Sequence, residues 1–242
     1  MTGSGGAGSG GDGSGGAGSG GASGTGGVVV PTDAGSGGAV GDAGLEVGGT
    51  EAGDAAPLSH PEVLMGAQAL MLQGNVTGGS QYQDNCPAGQ ALIGFSGSVN
   101  NTDVAASVNR QITAVCGVIA IDGTTVTIKV GATLTTRGMA GVSAWVRGCA
   151  ANQVMVGFSG RNGTLVDQLA FSCAPLTVSS AAVGTTLMAG AQTALAAIGG
   201  NGGAAFGPIN CPAGQIGSGA VVRTGTELDA FGMVCSKAEI AP

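Results

Sequence analysis

Three cysteine pairs in register constrain this chain more than any other feature. The cysteines stand at 86, 116, 149, 173, 211 and 235, and the leading member of each pair recurs at intervals of 63 and 62 residues. Aligned on those leading cysteines, the chain reads CPAGQALIGFSG over 86–97, CAANQVMVGFSG over 149–160 and CPAGQIGSGAVV over 211–222. Gly94, Gly157 and Gly219 each follow eight residues later. The second and third units stay in step through RNGTLVDQLAFSC (161–173) and RTGTELDAFGMVC (223–235), while the first carries about six extra residues (VNNTDVAASVNR) before QITAVC (111–116). Upstream, VLMGAQALM (63–71), IKVGATLTT (128–136) and TLMAGAQTAL (186–195) are alike, and Tyr82, Trp145 or Phe206 precedes each leading cysteine by four or five residues. Repetition of this kind is one supersecondary unit used three times. The repeats fall at about 58–122, 123–180 and 181–242.

The units have strand periodicity. In the second, QVMVGFSG and LVDQLAFSC flank Asn162-Gly163, a turn dipeptide whose residues both tolerate positive φ. Leu169, Phe171 and Cys173 share one parity, and Phe231, Met233 and Cys235 repeat it. One face of each strand is therefore apolar and points its cysteine inward. No convincing amphipathic helix follows residue 57; AGAQTALAAIGG (189–200) comes nearest, and its glycines oppose it. Among the pairings that six cysteines allow, the triplication makes Cys86–Cys116, Cys149–Cys173 and Cys211–Cys235 the natural set, each bracketing a hairpin. Two alternatives stay open. Zinc is opposed by the lack of C-x-x-C and by a single histidine, His60, at the domain boundary; the other is a reduced, cytosolic form. Pro87 and Pro212 fit strand or turn starts, where a missing N–H costs nothing.

Glycine divides the chain. Of 51 glycines in 242 residues, 23 fall in residues 1–57, where GSGGA or GSGGD occurs four times over 3–22. Such a stretch has no side chains to bury and the largest backbone entropy to lose. Residues 1–57 are thus expected to be a disordered Gly/Ser/Ala-rich tether ahead of a three-repeat β domain over 58–242, the alternative being a misassigned coding start. Disulfides need an oxidising compartment, yet no basic n-region or apolar h-region follows Met1. The expectation is an extracellular or cell-surface protein with a signal peptide upstream of the given start, and with it the option of a lipid anchor of the kind bacterial surface lipoproteins carry. A net charge of −7, with seven Lys+Arg, excludes the basic footprint of a nucleic-acid binder. No apolar run is long enough for a membrane-spanning helix. A mean hydropathy of +0.37 with 43 % apolar residues excludes uniform disorder. No cofactor and no metal is implied.

The pattern of an aromatic, three or four residues, C-P-x-G and a later D-x-L/F-x-x-x-C resembles vitelline membrane outer layer protein, a family of three Greek-key repeats arranged as a β-prism. The strings GRNGTLVDQLAF (160–171) and RTGTELDAFG (223–232) also resemble jacalin-related lectins, which share that architecture. The jacalin resemblance implies a sugar site made by a G-x-x-x-D segment and a neighbouring glycine-rich loop. Gly163…Asp167 and Gly225…Asp229 fit the first element, and Gly199, Gly200, Asn201, Gly202 and Gly203 resemble the second. Because 199–203 lies in the same repeat as Gly225…Asp229, those residues are expected to form the main site, with Gly163 and Asp167 a second. The first repeat has Arg110 in place of the aspartate, which puts its site in doubt. Jacalin-type lectins usually lack these cysteines, and neither G-x-x-x-D loop holds an aromatic for stacking on a sugar.

Each candidate also has a plainer reading. Asp167 and Asp229 can bond nearby backbone N–H groups and fix the turn. Arg161 and Arg223 are expected to face solvent rather than pair with them. Tyr82, Trp145 and Phe206 recur with the repeat, as core positions do, and 199–203 can be a simple loop. Catalysis has little to work with: one histidine, and a carboxylate pair such as Asp167 with Glu227 whose proximity the sequence does not show. The reading is a non-catalytic module that recognises glycans or surface polysaccharide. The alternative is a structural or protein-interaction module of an outer layer, without a small ligand.

Overall fold

The computed structural model describes residues 61–63, 68–70, 72–103, 106–181 and 184–240; the expected tether over 1–57 and His60 lie outside the described residues. Each hairpin begins with a turn that its motif dictates. The N–H of Gln90 donates to the Pro87 carbonyl (3.1 Å), that of Gln153 to Ala150 (3.1 Å) and that of Gln215 to Pro212 (2.9 Å). The third turn residue has positive φ each time: Gly89 at 73°, Asn152 at 59° and Gly214 at 73°. A type II turn demands that conformation there, and glycine or asparagine adopts it at least cost. C-P-A-G-Q and C-A-A-N-Q are therefore equivalent.

The described residues contain strands and no helix. Before the first cysteine come β1 (Pro61–Val63), β2 (Gln68–Ala69), β3 (Gln73–Gly74) and β4 (Ser80–Asn85). The first hairpin, β5 (Gln90–Val99) with β6 (Asn109–Asp122), is followed by β7 (Thr125–Thr133), β8 (Arg137–Gly138) and β9 (Ser143–Gly148). The second, β10 (Gln153–Asn162) with β11 (Val166–Ala181), is followed by β12 (Gly184–Ala189), β13 (Thr193–Ala194), β14 (Ile198–Gly199) and β15 (Ala204–Asn210). The third is β16 (Gln215–Thr224) with β17 (Leu228–Ile240). The segment nearest to a helical pattern, 189–200, supplies β13 and β14.

The first two hairpins pair with the segments that follow them: β6 with β7 and β8, β5 with β9, β11 with β12, β13 and β14, and β10 with β15. The third pairs instead with the N-terminal strands, β17 with β1, β2 and β3, and β16 with β4. Each face thus joins the hairpin of one repeat to the upstream segment of the next, in cyclic order. All three hairpins contact one another, so the faces enclose a triangular interior as an all-β prism.

The disulfides staple neighbouring faces. Cys86 follows β4 of the third face and bonds to Cys116 on β6 of the first; Cys149 follows β9 and bonds to Cys173 on β11; Cys211 follows β15 and bonds to Cys235 on β17. Gly94, Gly157 and Gly219 sit at a bulge in each hairpin, where the edge strand of the same face (β9, β15 or β4) passes close by. A Cβ at Gly219 would stand 2.5 Å from the Asp84 carbonyl oxygen, and one at Gly157 would stand 2.8 Å from that of Ile209. Close approach, rather than unusual φ, holds these positions to glycine.

Phe95, Phe158, Phe171 and Phe231 are fully buried in the interior. Phe231 meets the other three edge-on at 5.0–5.8 Å, while Phe95 stacks on Phe171 at 4.7 Å. The rings do not sit at equivalent repeat positions. Ala220 stands where the other repeats have Phe95 and Phe158, and Phe231 stands where they have Ile112 and Leu169. A ring lost at one corner is supplied from another, which keeps the interior filled. Strands also run past the disulfides into a second apolar cluster around Ile119, Val156, Leu176, Leu187 and Ile216. There β12 pairs with β17 at Thr186 and Glu239, making the second and third faces continuous.

Tyr82, Trp145 and Phe206 line up on the edge strands and pack against the interior, the core reading of these positions. Over Tyr82 lies Arg137, 4.3 Å from the ring centroid, with Nε and Nη2 donating to Asp84 at 2.8 and 2.6 Å. The hydrogen bond to Asp84 holds the guanidinium pKa above its ordinary value. This fork ties the first face to the third. Arg137→Ala is expected to cost about 1–2 kcal/mol, read by guanidinium unfolding; an unchanged midpoint would show the pair to be an ornament of the surface.

Candidate functional site

The hairpin ends meet at one end of the prism. Arg110 Nε donates to the Thr226 carbonyl (3.2 Å), and buried Asn109 points Nδ2 at the Val166 and Asp167 carbonyls (3.4 Å each). The first hairpin therefore touches the tips of both others. Glu227, at the third tip, has Arg110 Nε 3.6 Å from Oε2, an ion pair too long to be a hydrogen bond.

The third tip carries one candidate loop. Gly225 N–H donates to Asp229 Oδ2 (3.0 Å), and Asn75 N–H donates to the Asp229 carbonyl (2.8 Å). Asn75 Oδ1 accepts from Thr77 N–H (3.0 Å), the Thr77 hydroxyl (2.8 Å) and Gly78 N–H (3.1 Å), which shapes residues 74–79 into a compact loop. The Asp229 carboxylate lies where side chains at Gly78 and Gly79 would have to be; a Cβ at Gly79 would stand 2.5 Å from Oδ2. Arg223 braces the loop from below, Nε to the Gly78 carbonyl (2.7 Å) and Nη2 to Gly79 (2.9 Å).

The second tip repeats the carboxylate–glycine and arginine contacts with a loop one residue shorter. Gly200 N–H donates to the Asp167 carbonyl (2.8 Å). The Asp167 carboxylate lies where side chains at Gly202 and Gly203 would be, 2.6 Å from a Cβ at Gly203. Arg161 donates through Nε to Gly202 and through Nη2 to Gly203, both at 2.8 Å. Glycine is compulsory where each loop leaves its strand. Gly74 (φ 117°) and Gly199 (φ 100°) both hold left-handed backbone, and a Cβ on either would overlap the carbonyl of Asp229 or Asp167. Gly138 (φ 84°) does the same against Arg110 in the first face, but no carboxylate stands there.

This corrects the expected grouping. Gly199, Gly200, Asn201, Gly202 and Gly203 assemble with Gly163 and Asp167, not with Gly225 and Asp229. The partner of Gly225 and Asp229 is the loop 74–79, which sequence reasoning missed because GNVTGG does not read as a glycine-rich loop and lies at the other end of the chain. Arg161 and Arg223 are structural clamps rather than solvated charges; their equal placement before both G-x-x-x-D segments was the available signal. Gly163 and Gly225 do not use positive φ. Both are exposed, and a Cβ on Gly225 would meet nothing within 4 Å. Asp167 and Asp229 are half-buried, each across its turn from an exposed glycine.

Both aspartates offer acceptor oxygens at a partly exposed position. At the second loop, the N–H groups of Asn201 and Gly202 have no partner among the described residues. An acceptor and nearby backbone donors can bind a vicinal pair of hydroxyls. No group of three or more metal-ligating side chains occurs among the described residues, and no helix long and apolar enough to cross a membrane occurs among them.

No protein-family model and no curated protein matches the chain. Solved structures similar to it include jacalin-related lectins, the group that the G-x-x-x-D segments resemble. Calystegia sepium agglutinin is 16 % identical with a TM-score of 0.47, over 69 % of this chain and 95 % of that one. Single-chain recombinant jacalin is 15 % identical at 0.45, over 72 % and 96 %. A mannose-binding jacalin-related lectin from Ananas comosus is 15 % identical at 0.44, over 70 % and 96 %.

Proposed function

We propose that this chain is a non-catalytic module that binds saccharides through two equivalent loops at one end of the prism. The observation that carries the reading is the repeated placement of Asp167 and Asp229. Each sits against a pair of glycines, braced by an arginine, and is half-buried rather than enclosed. A carboxylate so held accepts hydrogen bonds from sugar hydroxyls without rearranging, which lowers the ordering cost of binding. Hydrolysis gains no support: Glu227, the considered partner for Asp167, is engaged by Arg110. The disulfides fit an oxidising, extracellular setting, and the composition of 1–57 fits a tether that holds the module away from its attachment point.

The test is a glycan array probed with the full chain and four variants. Asp167→Ala and Asp229→Ala each remove one acceptor, and together they are expected to weaken binding about 10- to 100-fold. Gly225→Val places a side chain where nothing lies within 4 Å, and Gly163→Val places one against the outer edge of the Asp167 carboxylate, its Cβ 3.8 Å from Oδ2; both are expected to weaken binding while thermal stability stays within a few degrees. Retained binding in all four variants refutes the reading. A second reading, protein contact, is favoured by Val130, Val142 and Val146, which are 67–77 % exposed on the first face; an array without a single hit would turn attention there.

A further inference from the structure

A groove of about 200 Å³ opens between the first and second faces. Asn101, Thr102, Ser107, Ser143, Trp145 and Arg147 contribute to its walls. So does Gly199, the first residue of the second candidate loop. The space is smaller than the roughly 300–1,000 Å³ of drug-sized pockets, so it suits a single ring.

Polar atoms in and behind its walls lack partners among the described residues. Trp145 is only 8 % exposed, yet its indole N–H has no hydrogen-bond partner among the described residues. Buried indoles usually find one. Asn109, fully buried behind Gly199, likewise leaves Oδ1 unpartnered among the described residues. Arg147 donates through Nε to the Ala196 carbonyl (2.8 Å), through Nη1 to Val146 (2.9 Å) and through Nη2 to Ala197 (3.5 Å). One N–H remains on each terminal nitrogen, the pair that grips a carboxylate side by side. Among the described residues no carboxylate pairs with Arg147, and none lines the groove. A fixed cation, hydroxyls and an amide around a space of one ring select an anionic, hydroxyl-rich guest through the local charge of Arg147.

We propose that this groove binds a carboxylate-bearing sugar unit, with Arg147 on the carboxylate and Thr102, Ser107 and Ser143 on ring hydroxyls. The shared wall at Gly199 makes it an extension of the 199–203 loop, so the module prefers acidic oligosaccharides. The proposal rests on the saccharide reading of that loop.

Trp145 is the only tryptophan in the chain, so its fluorescence reports on the groove. The full chain is titrated with glucuronate and galacturonate, and with glucose and galactose as neutral counterparts. At least one uronate is expected to give a saturable change at roughly tenfold lower concentration than its neutral counterpart. Arg147→Gln is expected to remove about tenfold of that affinity. Because Arg147 also holds the 196–197 backbone, Thr102→Asp serves as a second variant: it adds a negative charge at an exposed rim position, and a loss of similar size is expected. No saturable change with either uronate, equal response to acid and neutral sugar, or unchanged affinity in both variants overturns the proposal. Failure here alongside aspartate-dependent glycan binding on the array removes the groove and leaves the loops. A uronate response without aspartate-dependent binding removes the loops as sugar contacts and leaves a uronate site.

Discussion

Reduction of the three disulfides is expected to unfold the prism at 25 °C without denaturant. Each bond closes 24 or 30 residues of chain, which in the chain-entropy model stabilises by about 3.5 kcal/mol. Three such bonds amount to roughly 10 kcal/mol, comparable with the whole stability of a typical domain. Their position adds to the effect, because each joins one face to the next and no other covalent link closes the ring. Circular dichroism and Trp145 fluorescence, with and without reductant, read the result. A reduced protein that melts within a few degrees of the oxidised one would show that the faces hold by packing alone. The paired change Cys86→Ser with Cys116→Ser is the selective version. It frees the N-terminal strands from the first hairpin, so hydrogen exchange should rise first in 68–85 and along β16.

Phe231→Ala is expected to cost about 3–5 kcal/mol, the range for removing a fully buried phenylalanine. The ring is the one that meets Phe95, Phe158 and Phe171 together, so the cavity would open at the junction of all three faces and no single strand could close it. For a domain of this size that corresponds to a melting temperature lower by about 10 °C. Phe206→Ala is the control. That ring touches only Phe158 among the phenylalanines and is half-buried on an edge strand. Equal losses at the two sites would mean that the interior is not organised around Phe231.

The local chemistry of the repeats was legible in the chain. The alternation around Leu169, Phe171 and Cys173 placed those side chains inside, and the structure buries all three. Pro87 and Pro212 after two of the leading cysteines suggested strand or turn starts, and the turn forms in all three repeats, with Asn152 taking the place of glycine in the second. The core reading of Tyr82, Trp145 and Phe206 holds for the same reason: recurrence with the repeat reflects an equivalent packing environment. What the chain hid was partnership. Nothing local in GGNGG distinguishes Asp167 from Asp229 as its neighbour, since both lie in matching strings. Likewise, the solvated reading of Arg161 and Arg223 followed from their place beside a turn, while their true acceptors lie 41 and 145 residues away.

The sequence by itself determined the strand class, the threefold repetition, the cysteine pairs and the residues of both aspartate turns, because each depends on spacing within a few tens of residues. Only the tertiary structure decided which segment completes which face. A closed ring of three faces has no first member, so the linear order of the repeats leaves open whether an edge segment pairs with the hairpin before it or after it. Closure answers that: the strands over 61–85 fill the third face against β16 and β17, and the edge segments after the first and second hairpins each take the hairpin before them. That one cyclic shift moved 199–203 to Asp167, gave Asp229 the loop 74–79, and opened the groove between Trp145 and Gly199.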